Sequence, residues 1–162
     1  MTNPYKHYSI EDFDSFDCLK LSKRFYLILL FVLRGYIIWL ISVTNMRDRV
    51  GLMEWVYPEI DLFFLSLFSG TLGLFVVLVI SLRRPDAPSW IQKSWRHCRK
   101  FLVTALLFDL FINSAAVLYW QLLPLSWLVG QSLIVLALIG LCFTSERLTI
   151  NLTEFPHKLP EK

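Results

Sequence analysis

Four long runs of apolar residues account for most of the chain. They cover residues 25–43, 62–82, 101–120 and 125–143, and only Arg34 and Asp109 interrupt them with a charge. At 1.5 Å per residue, about 20 helical residues cross a hydrocarbon layer of about 30 Å. A helix satisfies its own backbone hydrogen bonds in lipid, so each run is predicted to be a transmembrane helix. The predicted fold is all-α: an integral membrane bundle of four transmembrane helices.

The segments between these runs differ sharply in basic residues. Thirteen of the sixteen Lys and Arg residues fall in residues 1–24, 83–100 and 144–162, whereas residues 44–61 hold two. Basic residues concentrate on the cytoplasmic side of membrane proteins. The sequence therefore predicts one membrane domain with a cytoplasmic arm (1–24), a periplasmic loop (44–61), a basic cytoplasmic loop (83–100) and a cytoplasmic tail (144–162). Both termini are predicted to lie in the cytoplasm.

Composition narrows the possible functions. Charged residues make up only 18% of the 162, and the net charge is +3, so nucleic-acid binding has no general electrostatic support. The three histidines lie outside the apolar runs, and the three cysteines have no metal-binding spacing relative to them. No metal site or cofactor is predicted. An enzyme is not expected either, because no nucleophile has an evident neighbouring base.

The two charges inside the apolar runs are the first candidates for a functional site. A charge deep in the bilayer costs roughly 2.5 to 3.5 kcal/mol on insertion scales, so such residues usually pair. Arg34 and Asp109 are each about 12 to 13 Å from the cytoplasmic edge, at 1.5 Å per residue, and can meet. Asn113 is one helical turn beyond Asp109 on the same face. Gln131, in the fourth run, lies at the same depth in the membrane as Asn113. We predict an intramembrane polar cluster of Arg34, Asp109, Asn113 and Gln131.

Two interpretations of this cluster are open. It could be a structural clamp, in which a buried ion pair and amide hydrogen bonds select the helices that touch. It could instead be an ion or proton path through an Arg34–Asp109 centre. A self-neutralising pair among four helices is a poor carrier site, which favours the clamp.

Small residues on the second run predict close helix packing. Ser66 and Gly70, and likewise Ser69 and Gly73, are separated by three residues. Such small-xxx-small pairs allow the backbones of transmembrane helices to approach one another.

The basic cytoplasmic loop is a second candidate surface. Pro85 and Pro88 end the preceding helix, and Ser89 is predicted to cap a helix that continues into the third run, with Trp90 and Trp95 at the headgroup level. The loop could bind anionic lipid or an acidic partner, or its charge could simply set the topology. Its basic residues are Arg83, Arg84, Lys93, Arg96, Arg99 and Lys100.

Several short motifs resemble the YfeZ-like family of small bacterial inner-membrane proteins, a domain of unknown function. The resemblance implies a location in the bacterial inner membrane and supplies no activity. The similar stretches are Phe13-Asp14-Ser15-Phe16-Asp17-Cys18-Leu19-Lys20, Leu33-Arg34, Val56-Tyr57-Pro58-Glu59, Asp61-Leu62-Phe63, Gly70, Arg83-Arg84-Pro85 and Leu106-Leu107-Phe108-Asp109.

The sequence is most consistent with a non-enzymatic accessory or structural subunit of a membrane complex. The alternative is a small transporter or channel component that uses the Arg34–Asp109 polar centre. The expected partners are the lipid bilayer, anionic lipid at the inner loop, and either another membrane protein or a second copy of the chain.

Overall fold

The computed structural model describes residues 8, 12–14, 16, 18–45, 51–57, 59–119 and 124–156. Over these residues the chain is helical, apart from an isolated bridge between Phe13 and Leu19. The all-α prediction is therefore confirmed. The helices are α1 (Lys23–Val32), α2 (Arg34–Thr44), α3 (Gly51–Val56), α4 (Ile60–Ser81), α5 (Ser89–Arg96), α6 (Cys98–Leu118), α7 (Leu125–Thr144) and α8 (Glu146–Thr153).

Among the residues that the structure describes, three helices are long and apolar enough to cross a membrane. They are α4, α6 and α7, with 22, 21 and 20 residues. At 1.5 Å per residue each measures about 30 Å or slightly more, the thickness of the hydrocarbon core. Their positions agree with the predicted runs at 62–82, 101–120 and 125–143.

The first apolar run, 25–43, is broken, and the expectation of one uninterrupted helix is wrong. α1 and α2 meet at 72° across Leu33, and together they have the length and apolar composition of a broken span or a re-entrant loop. The Phe31 carbonyl, which would accept from the Gly35 N–H in an unbroken helix, accepts from Nη1 of Arg34 at 3.2 Å. A side chain inserted into the backbone ladder is a recognised cause of a sharp bend.

The helix predicted to run from Ser89 into the third span is also interrupted. α5 ends at Arg96 and α6 begins at Cys98, with His97 between them. Pro88 occupies the cap position and no side chain caps α5, so Ser89 is its first residue and not its cap. Trp95 was expected at the lipid headgroups, but it is 1% exposed. The break lets α5 turn its apolar side, including Trp95, into the protein.

α6 is the central helix of the bundle. It packs against α1, α4, α5 and α7, while α2 packs against α1, α3 and α4. Residues 144–162 had been predicted only as a tail, yet they contain α8, which packs on α5 and α7. Ser145 caps α8 by accepting from the Leu148 N–H.

Parts of the predicted connections lie outside the described residues. These are Arg47, Arg49 and Pro58 of the predicted periplasmic loop, residues 120–123, and the tail from residue 157 onward. Within the predicted periplasmic loop, residues Gly51–Val56 form α3.

Candidate functional site

The contact predicted between Arg34 and Asp109 is present. Arg34 is the first residue of α2, directly after the break, and its guanidinium donates to both carboxylate oxygens of Asp109 on α6 at 3.1 Å. Asp109 is 1% exposed, and the Arg34 side chain is 23% exposed. The break brings the guanidinium to the carboxylate from the side of α6 that faces α1.

Two further helices donate to the same carboxylate. The Ser69 hydroxyl on α4 donates to Oδ1 at 2.8 Å, and Nε2 of Gln131 on α7 donates to Oδ2 at 2.7 Å. Each oxygen of Asp109 therefore accepts at least two hydrogen bonds, which fills the acceptor sites of a carboxylate. A carboxylate with all of its acceptor sites filled is stabilised at its position. It also fixes the positions of its three donors relative to one another.

Asn113 is near this centre but does not join it. Its Nδ2 donates to the main-chain oxygen of Asp109 one turn earlier, at 2.8 Å, instead of to the carboxylate. Ser69, by contrast, had been assigned to helix packing alone, yet it binds the carboxylate. Which of these side chains reaches the carboxylate depends on the direction in which each one points, and depth along a helix does not decide that.

The small residues of α4 face the break between α1 and α2. A Cβ added at Gly73 would lie 2.8 Å from Cγ1 of Val32, and one at Gly70 would lie 3.0 Å from the Tyr36 ring. On the opposite side, a Cβ at Gly35 would lie 2.5 Å from Oγ of Ser66. The predicted close approach therefore occurs, and it occurs where the bent pair crosses α4.

A cavity of about 350 Å³ adjoins the ion pair. It lies at the end of the bundle where α4 and α7 begin and α6 ends. The Tyr57 hydroxyl in its lining is 2.7 Å from Oγ of Ser66. The polar residues that line it are Arg34, Tyr57, Ser66, Asn113, Ser126 and Gln131. The remaining lining is mainly apolar and includes Leu62, Leu65, Ile112, Trp127 and Ile134. The predicted polar cluster therefore borders a partly open cavity as well as an ion pair.

The opposite end of the bundle carries a second polar assembly, which the sequence analysis did not find. Nε1 of Trp95 donates to the main-chain oxygens of Asn151 and Glu154 at 3.2 and 2.8 Å. Nδ2 of Asn151 donates to the Leu19 oxygen at 2.7 Å, so α5, α8 and the N-terminal arm are joined. The available signal was Ser145 as a helix cap, followed by Leu148 and Leu152 one turn apart.

Arg83 belongs to this assembly and is not free for lipid. Its guanidinium lies 4.5 Å from the centre of the Trp95 ring, and it donates to the Glu154 main-chain oxygen at 3.3 Å. Burial lowers the pKa of Arg83, while Cys18 and Glu154 nearby oppose the shift. Arginine keeps its charge even so. Arg83 therefore contributes a permanent positive charge to the inside of this assembly.

The other basic residues of the loop divide into two groups. Arg99 donates to Oγ1 of Thr149 on α8 at 2.7 Å, so it too is engaged within the protein. Arg84, Lys93, Arg96 and Lys100 are exposed. Only these four present a free basic surface, a smaller one than the six-residue loop suggested.

Sequence comparison identifies a family and a relative of this chain. Residues 8–154 match a family model described as "Protein of unknown function (DUF2919)". The chain is 30% identical over 120 residues to "Inner membrane protein YfeZ" of Escherichia coli (strain K12), which covers 74% of this chain and 70% of that protein. No solved structure matches the chain.

Proposed function

Since the chain belongs to the family of proteins of unknown function (DUF2919), we propose that it is a multi-pass protein of the bacterial inner membrane and a non-enzymatic accessory or structural subunit of a membrane complex. The resemblance to YfeZ-like proteins drawn from the sequence motifs is confirmed by this membership. The observation that carries the proposal is the Asp109 carboxylate, which receives hydrogen bonds from α2, α4 and α7 at once.

The contacts between the two ends of the chain support four crossings. The main-chain N–H of Leu19 donates to the Glu154 carboxylate at 2.9 Å, and Arg147 pairs with Asp12 at 3.0 Å. Residues that precede the first helix therefore contact residues that follow α7, at one end of the bundle. This arrangement requires an even number of membrane crossings between them. α4, α6 and α7 supply three crossings, so the bent α1–α2 pair supplies the fourth.

The dimensions of the bent pair are compatible with a crossing. α1 and α2 contain 10 and 11 residues, about 31 Å of helix at 1.5 Å per residue. If each half tilts by half of the 72° bend, the pair spans about 25 Å along the membrane normal. A shortfall of a few ångströms against the hydrocarbon core is accommodated by local thinning or by flanking residues.

The distribution of basic residues supports an orientation with both termini inside. The shared end of the bundle carries Lys20, Lys23 and Arg24, together with the basic loop and the start of the tail. By the positive-inside rule, this end faces the cytoplasm. The cavity next to Arg34 then lies toward the periplasmic side.

The saturation of Asp109 supports a structural role for the ion pair. A carboxylate whose oxygens already accept from Arg34, Ser69 and Gln131 has no free lone pair for a general base or a carried cation. Holding four helices in one arrangement is the best-supported use of such a buried pair. The same argument weighs against the transporter alternative.

The outer face of α7 is the surface proposed for the partner subunit. Only 22% of its apolar span is buried, against 39% for α4 and for α6, so α7 is the least covered of these three spans. Leu133 and Leu136 on this helix are 63% and 62% exposed. Large exposed apolar side chains of this kind can pack against another transmembrane helix.

The test is purification of the full-length tagged chain from its native membrane in mild detergent. We expect one stoichiometric membrane-protein partner, lost in Leu133→Trp but retained in Leu30→Trp. Leu30 is a matched control because it is 62% exposed, but on α1. Loss of the partner from both variants, or from neither, would contradict docking through α7. A proteoliposome flux abolished by Asp109→Asn, with no partner found, would replace the proposal with the transporter alternative.

Anionic lipid is proposed as a second partner, at the surface formed by Arg84, Lys93, Arg96 and Lys100. These four side chains are exposed, whereas Arg83 and Arg99 are engaged with the C-terminal segment. Basic residues at a membrane surface attract anionic lipid by about 1 kcal/mol each.

A further inference from the structure

The cavity beside Arg34 has the composition of a ligand site. Its volume of about 350 Å³ is at the lower end of the roughly 300 to 1,000 Å³ found for small-molecule pockets. Such pockets are mainly apolar, with a few polar groups that converge on the ligand. Space of this size admits a polar head and the first part of a chain, not a whole two-chain lipid.

Three polar groups that line the cavity have unused hydrogen-bonding capacity. Gln131 is 6% exposed, and its Nε2 donates to Asp109, yet no described residue donates to its Oε1. Within the same described ranges, no residue donates to Oδ1 of Asn113 or accepts from Nε of Arg34. An amide oxygen can accept two hydrogen bonds and the guanidinium Nε–H can donate one, so each of these atoms can bind a polar group in the cavity. The cavity therefore offers two acceptors and one donor to a ligand.

The charges around the cavity favour an uncharged head. Arg34 is already paired with Asp109 at 3.1 Å, so the local net charge is close to zero. An anionic head would compete with Asp109 for the guanidinium and be repelled by that carboxylate in a low-dielectric setting. A hydroxyl both donates and accepts, so it can serve an amide oxygen and the Arg34 Nε–H together.

We propose that this cavity binds a long-chain alcohol, an uncharged amphiphile whose hydroxyl lies among Arg34, Asn113 and Gln131. The first part of its apolar chain packs against Leu65, Trp127 and Ile134, which line the cavity. This assignment goes beyond the accessory role, because it concerns a small ligand and not the partner subunit. It does not require a partner to be present.

Gly130 provides a direct way to fill the cavity. It lines the cavity on α7, and a Cβ built there meets nothing within 4 Å, so a leucine would occupy ligand space without a clash at its Cβ. Gly140 is the matched control. It lies on the same helix, a Cβ there also meets nothing within 4 Å, and it is not part of the lining.

The experiment uses full-length protein in lipid nanodiscs and a hexadecanol probe that carries a diazirine on its chain. Labelled residues are mapped by mass spectrometry, and unlabelled hexadecanol is the competitor. We expect saturable labelling of cavity residues, about tenfold weaker in Gly130→Leu and within about twofold of wild type in Gly140→Leu. Carboxylate and phosphate probes of the same chain length should label about tenfold less than the alcohol.

Two results would overturn the proposal. Equal labelling of Gly130→Leu and Gly140→Leu would show that the probe only partitions onto the protein surface. Preferential labelling by the carboxylate or phosphate probe would show that the head is recognised as an anion. Size-exclusion chromatography reports whether each variant folds, and Ser126→Leu, at an exposed position of the lining, replaces Gly130→Leu if that variant aggregates.

Discussion

The buried ion pair makes a prediction that separates a structural clamp from a functional charge. Replacing Asp109 alone by leucine leaves the Arg34 guanidinium unpaired inside the bundle, whereas the double variant Arg34→Met, Asp109→Leu removes both charges. We expect the single variant to be the less stable of the two. The comparison turns on the cost of an orphaned charge, not on loss of the pair as such.

The magnitudes follow from the contacts. Breaking a buried pair on one side costs about 3 to 5 kcal/mol. Ser69 and Gln131 also lose their acceptor, at about 0.6 kcal/mol for each hydrogen bond in a membrane protein. The single variant should therefore lose about 4 to 6 kcal/mol. The double variant loses the Ser69 and Gln131 bonds and the bond from Arg34 to the Phe31 carbonyl, about 2 kcal/mol in all. Replacing both charged partners by apolar residues is otherwise often neutral or stabilising.

The assay is equilibrium unfolding by dodecyl sulfate in mixed micelles, together with folded yield from size-exclusion chromatography. Phe111→Leu is the control on the same helix, since Phe111 is 69% exposed and makes no part of the cluster. It should unfold like the wild type. If the double variant proves as unstable as Asp109→Leu or more so, the clamp is wrong and the charges themselves are needed.

Two further predictions concern topology and lipid. A cysteine at Asn45, after α2, should react with a membrane-impermeant maleimide in intact spheroplasts, whereas one at exposed Gln92 should react only after lysis. Reaction of both cysteines in intact spheroplasts would contradict four crossings. The native cysteines are buried, so the wild-type protein should stay unlabelled. Changing Arg84, Lys93, Arg96 and Lys100 to glutamine should weaken retention of phosphatidylglycerol by about fivefold per residue, with phosphatidylethanolamine unchanged, measured by native mass spectrometry from mixed nanodiscs. Unchanged retention of phosphatidylglycerol would show that these charges set topology only.

Several features were predictable because transfer of a segment into the hydrocarbon layer depends on its own length and composition. An apolar run either is or is not long enough to cross, so α4, α6 and α7 could be located from length and composition. Depth along a helix follows from counting residues, which is why the Arg34–Asp109 contact could be expected. The choice of partner for Ser69 and Asn113 could not be, because it depends on how each helix is rotated about its axis.

The sequence by itself determined the helical class, the three long spans, the family and the pairing of the two intramembrane charges. Only the tertiary structure decided the bend at Leu33, the burial of Trp95 and Arg83 against α8, and the cavity beside Gln131. These features need groups far apart in the chain to meet. The bent pair that carries Arg34 packs closely on α4 at Gly70 and Gly73, and the indole N–H of the buried Trp95 donates to the main-chain oxygens of Asn151 and Glu154. Free energies that depend on several helices at once have no counterpart in the local pattern of apolar and polar residues.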